Sequence, residues 1–147
     1  MTIFFDDLAV DDEWTSGEYA VTEAEIREFA DQYDPQWFHT DPDRAAEESP
    51  YEGLIASGWH TTAMTMRLLV DNFLSDAATM GAKGVDELRW RRPVEPGDSL
   101  SIQATVEDKA VDSESRGTVR LRIETTNGDD EPVCTMVGIV MFARREE

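Results

Sequence analysis

The chain has 147 residues, with 32 Asp or Glu against 13 Lys or Arg, giving a formal charge of −19 and a pI near 4.2. That length argues for a single domain over 1–147, which buries roughly two-thirds of its unfolded surface, and 40% hydrophobic residues suffice for a core. The charge has the wrong sign for a nucleic-acid or anionic-membrane surface. The longest nearly apolar stretch, Pro132–Ala143, is far short of the about 20 residues that span a bilayer. The acidic N-terminal segment lacks the basic start of a signal peptide, and the lone Cys134 has no internal partner, so a soluble cytoplasmic protein is expected.

Residues 3–21 read as an apolar start, a loop through Asp11–Asp12 and a strand near Glu18–Val21. Thr22 with Glu25 three positions later forms a capping box for a helix carrying Ile26, Phe29 and Ala30 on one face. Pro35, Pro42 and Pro50 make Asp34–Tyr51 mostly loop, with one short helix over Asp43–Glu48. From Ser57 to about Ala77 no proline intervenes, and apolar residues recur at helical spacing, describing a long helix buried on most sides. The second half changes period. A strand is expected over Gly84–Arg92, and a turn over Val94–Asp98. Leu100–Val106 and Val119–Ile123 alternate with period two, and Val133–Phe142, apolar on both faces, reads as a central covered strand. Wrapping a curved antiparallel sheet around the long helix would bury it.

Only His39 and His60 can titrate near neutral pH. Asp34 stands five residues before His39, and a carboxylate and an imidazole on one rigid loop can together bind and activate a water. The plain alternative is an Asp capping a helix end beside a surface His. Gly58 begins the long helix, where unpaired amides carry partial positive charge, and a glycine there lets a carbonyl oxygen approach; it can equally serve turn geometry alone. His60, two residues on, is a rival candidate base, but it reads more simply as a packed, hydrogen-bonded core histidine. His39, Asp41 and His60 match no zinc spacing, so no metal or other cofactor is expected.

FADQYDPQWFHTDPDRAA, then GLIASGWHT, then the long helix and ELRWRRPVEPGDSL, resembles the MaoC-like dehydratases, which include (R)-specific enoyl-CoA hydratases. The resemblance implies an α+β hotdog fold and usually a homodimer. It also implies reversible hydration of a trans-2-enoyl-CoA, coenzyme A being part of the substrate. By it Asp34 and His39 are the catalytic pair and Gly58 the amide facing the thioester carbonyl. The family pattern D-x-N-P-x-H is altered inside, because Pro35 follows Asp34 directly, and a gapped alignment makes Asp31 the carboxylate instead. Ser57 occupies a position often held by His, and Met66 stands where the hydratases commonly place a supporting hydroxyl, with Thr62 and Thr65 nearby. Trp37, Phe38 and Tyr51 are candidates to line the acyl pocket with Ser57. Lys83, Arg89, Arg91 and Arg92, with Arg67, are candidates for the CoA phosphates, or for pairing across a subunit contact. A hotdog thioesterase and a non-catalytic acyl-CoA-binding module are the competing readings.

Eleven of the 13 cations are Arg and the acids are scattered along the chain. This surface looks like that of a halophile's cytoplasmic protein, in which salt screens self-repulsion and lets an anionic CoA ester approach.

Overall fold

The computed structural model describes residues 1–145. Four helices precede most of the sheet: α1 (Glu23–Tyr33), α2 (Trp37–Thr40), α3 (Pro42–Glu48) and α4 (Gly58–Asn72). Six strands complete the chain: β1 (Glu13–Thr15), β2 (Tyr19–Ala20), β3 (Thr79–Trp90), β4 (Ser99–Val111), β5 (Arg116–Thr126) and β6 (Pro132–Ala143). They form one antiparallel sheet in the order β1-β4-β5-β6-β3, with β2 also on β4. As its double-sided apolar pattern predicts, β6 is interior, flanked by β5 and β3.

The alternating strands point one face inward. Leu100, Ile102, Ala104 and Val106 of β4 and Val119, Leu121 and Ile123 of β5 are buried. Against them lies the inner face of α4, with His60, Thr61, Met64, Thr65, Leu68 and Leu69. A buried hydroxyl pair, Thr65 Oγ1 to Thr125 Oγ1 at 2.7 Å, ties α4 to β5. Each oxygen thereby avoids the desolvation cost of an unpaired polar group.

Several boundaries differ from expectation. The long helix ends at Asn72 rather than near Ala77, and Leu74–Asp76 forms a separate 3₁₀ turn. It is buried on one face only: Trp59 and Met66 remain 59% and 48% exposed. Strand β3 begins at Thr79, five residues before Gly84, and is exposed along nearly all its length, so no alternation marks its start. Gly81 and Gly84 there take positive φ at irregularities in the β3–β6 register. The loop after Asp12 passes straight into β1, where Trp14 stacks on Phe73 at 3.8 Å. The capping box is half formed: Thr22 accepts from the Glu25 amide, while the Glu25 carboxylate instead accepts from Tyr19.

Candidate active site

Helix α1 stops at Tyr33 because Asp34 precedes Pro35, whose ring excludes the helical conformation for the residue before it. Asp34 takes φ −151° and ψ 65° and closes α1 by donating its amide to Ala30. The expected loop after it contains a further single turn of helix, α2, which carries His39 inward to 5% exposure. So the Asp does cap a helix end, but the His is not on the surface.

Two backbone bonds and one from a side chain stitch the neighbouring segment in place. Ile55 donates to the Phe38 carbonyl at 3.2 Å, and Ala56 donates to Val94 at 2.8 Å. In return, the Ile55 carbonyl accepts from His39 Nδ1 at 2.7 Å. A carbonyl can only accept, so Nδ1 carries a proton and any second ring proton sits on Nε2. Nε2 faces Asp34 Oδ2 at 3.3 Å. The other carboxylate oxygen accepts from the Gln36 side chain at 2.7 Å. Burial works against ionising Asp34. The nearby Ser57 hydroxyl, although it closes no hydrogen bond, the bonded Gln36 amide and His39 together outweigh it and hold the carboxyl below its ordinary value. Asp31 is exposed on α1 and makes no contact with His39.

The pair opens into a cleft of about 380 Å³ shared with Ser57 and Gly58. Among the described residues, the Gly58 amide donates to no acceptor, leaving it free at the positive end of the fifteen-residue α4. Gly58 is sterically required. A Cβ there would lie 2.4 Å from the Trp90 ring, which sits against the helix start and donates from Nε1 to Thr62 Oγ1 at 3.0 Å. The bare face of this glycine is thus occupied by an indole rather than left open for a ligand.

Phe38, Tyr51, Arg91 and Arg92 also line the cleft. Trp37 does not: it turns away, beneath the Arg44 guanidinium at 4.4 Å. Lys83 and Arg67 are likewise elsewhere, held by Asp112 and Asp71. Arg92 pairs with Glu131 at 3.3 Å, whereas Arg91, among the described residues, bonds to the Thr135 hydroxyl and to no acid. His60 lies outside the cleft, stacked on Phe29 at 4.8 Å, packed as expected, but its Nδ1 has no hydrogen-bond partner among the described residues. Burial lowers its pKa, an effect the nearby Glu25 partly opposes. Met66 is exposed, and Thr65 bonds into the core, so neither supports the pair. A larger depression of about 1060 Å³ near Phe4 and Met80 contains no histidine, and its Arg145 is paired with Asp7.

A family model described as the MaoC like domain matches residues 10–127, a span containing the pair, the helix start and the first five strands. The chain belongs to the MaoC-like dehydratase family. It is 32% identical over 127 residues to 3-hydroxyacyl-thioester dehydratase Z of Mycobacterium tuberculosis, covering 83% of this chain and 82% of that one. The crystal structure of a MaoC-like dehydratase from Rhodospirillum rubrum matches with a TM-score of 0.85 and 37% identity over 99% of both chains. An R-hydratase from Pseudomonas aeruginosa shares the fold, with a TM-score of 0.78 at 23% identity, over 99% of this chain and 88% of that one. This MaoC-like protein therefore has the hotdog architecture, α4 wrapped by the sheet, and membership carries the hydro-lyase reaction class.

Residues that the sequence reading assigned no role complete the site. Gln36, Trp59, Trp90 and the Ile55 carbonyl converge through backbone placement. Trp90 lies within the quoted ELRWRRP run, but nothing local signals that its ring meets Gly58 from across the fold.

Proposed function

We propose that this MaoC-like protein reversibly adds water across the double bond of a trans-2-enoyl-CoA, giving the (3R)-hydroxyacyl thioester. The observation that carries this reading is the 3.3 Å approach of His39 Nε2 to Asp34 Oδ2, with Nδ1 fixed on a carbonyl. Together the two groups hold one mobile proton. Asp34, ionised, accepts a proton from water; the water oxygen bonds to the β-carbon, and the π electrons move onto the thioester oxygen. The Gly58 amide and the α4 dipole stabilise that oxygen. His39 Nε2 then delivers its proton to the α-carbon as the enolate collapses. Asp34 returns the proton it took to His39, so the net change is addition of one water. The name of the mycobacterial relative, a dehydratase of 3-hydroxyacyl thioesters, supports the same reaction run in reverse.

Both transfers originate from adjacent groups on one wall of the cleft, so hydroxyl and proton must arrive on the same face of the double bond. Hydration in D₂O should give syn-labelled (3R)-hydroxyacyl-CoA, read from the proton coupling between C2 and C3. Anti addition, or the (3S) product, contradicts the assignment.

Arg91 and Arg92 stand at the cleft and supply cations for the CoA phosphates, with Phe38 and Tyr51 against the acyl group. Arg91→Ala/Arg92→Ala should raise KM for CoA thioesters several-fold while leaving kcat near the parent value. An unchanged KM removes them from the substrate site. We also infer a homodimer built on β3, an exposed edge strand presenting Val85 and Trp90 beside Trp59 of α4. Sedimentation at the monomer mass of 16.6 kDa contradicts it.

A further inference from the structure

The least explained polar atom near the pair is the Ser57 hydroxyl. Ser57 is 1% exposed, lines the same cleft as Asp34 and Gly58, and its Oγ has no hydrogen-bond partner among the described residues. An unpaired buried hydroxyl is unfavourable, and in a folded protein such an atom calls for a reason. The Ser57 backbone is already committed: its carbonyl accepts from both His60 and Thr61, which anchors the residue at the start of α4. The side chain therefore sits on a rigid base, with one free donor beside the one carboxylate of the cleft.

We propose that Ser57 is a positioning residue for Asp34, its hydroxyl donating to the Asp34 carboxylate as the reacting water is bound. This rests on the hydratase reading of the same site. Asp34 would then be held from three elements: Gln36 from the turn after α1, His39 from α2 and Ser57 from the head of α4. Three contacts fix which oxygen faces the water. Catalytic hydrogen bonds are often long before substrate arrives and tighten in the reacting complex, as the unclosed Ser57 contact here requires. The lowered pKa of Asp34 is in keeping with a donor on this side. The other charged or titratable groups lining the cleft are Arg91, Arg92 and Tyr51, and all three remain in place when Ser57 is changed.

The test is the titration of the Asp34 carboxyl, followed by carbon-13 NMR, in the intact protein and in Ser57→Ala. Alongside it, the pH profile of kcat/KM for enoyl-CoA hydration is measured in both. Losing a donor to the ionised form should raise the Asp34 midpoint by about one pH unit and move the acid limb of the profile upward by the same amount. On that limb activity should fall about tenfold, with KM unchanged. Ser57→Thr, which keeps the hydroxyl, should restore the midpoint. An Asp34 midpoint in Ser57→Ala equal to the parent's overturns the proposal, even if activity falls. If the parent protein hydrates no enoyl thioester, the catalytic reading fails separately, and the carboxyl titration still decides the Ser57 contact.

Discussion

His39→Ala should abolish measurable hydration, lowering kcat by about 10²- to 10⁴-fold, the range for a positioned general acid–base group. The size follows from how few groups can act: His39 is the only imidazole in the cleft, because His60 faces a different hollow. Asp34→Asn should give a loss of similar size, since the amide keeps a hydrogen bond but cannot accept the proton from water. The double variant should be barely worse than either single one, because the two side chains share one proton and act as a unit. Circular dichroism should show both variants folded, as neither residue belongs to the hydrophobic core. Additive losses in the double variant would mean that the 3.3 Å contact is not a working pair.

Gly58→Ala should have the largest effect on stability. A methyl placed 2.4 Å from Cδ2 of Trp90 meets the fused part of the indole, not a movable side-chain tip. The ring cannot simply swing aside: Trp90 is held by Thr62, by the β-ladder opposite Cys134 and by an edge contact with Trp59. Overpacking of this kind costs about 1–3 kcal/mol. Displacing α4 from Trp90 would also move the free Gly58 amide, so activity should fall with stability. Trp90→Leu removes the obstruction. In that background Gly58→Ala should be nearly neutral, because alanine favours a helix over glycine by up to about 1 kcal/mol. Denaturant unfolding of the four proteins checks this, and equal costs in both backgrounds would contradict the steric account.

The fold was legible wherever burial was one-sided. Leu100–Val106 and Val119–Ile123 alternate because one face meets α4 and the other meets solvent, and Val133–Phe142 loses its alternation because it is interior to the sheet. The same logic fails for β3. Exposed on both faces, it carries no apolar rhythm, and its first five residues, Thr79–Lys83, give no strand signal in the sequence. Helix α2 is a single turn, too short for a periodic signal, yet it supplies the imidazole.

The candidate site was legible as far as it is local. Asp34 and His39 lie five residues apart, and Pro35 marks the break that turns the carboxylate toward the ring. What stayed hidden is contributed from a distance, or by backbone. The Ile55 carbonyl that sets the His39 tautomer has no side-chain identity to read. Trp90 meets Gly58 from a strand 32 positions later. Trp37, adjacent to Phe38, is as good a pocket candidate in the sequence, but the helical turn of α2 directs the two rings to different sides.

The central claim, water addition to an enoyl thioester by the Asp34–His39 pair, is tested most directly by incubating the protein with crotonyl-CoA in molar salt. Enoyl absorbance and free thiol are followed together. The account predicts loss of enoyl absorbance with no thiol released. Thiol release would identify a thioesterase, and no change in either signal would leave a protein that binds the ester without converting it; either result contradicts the account.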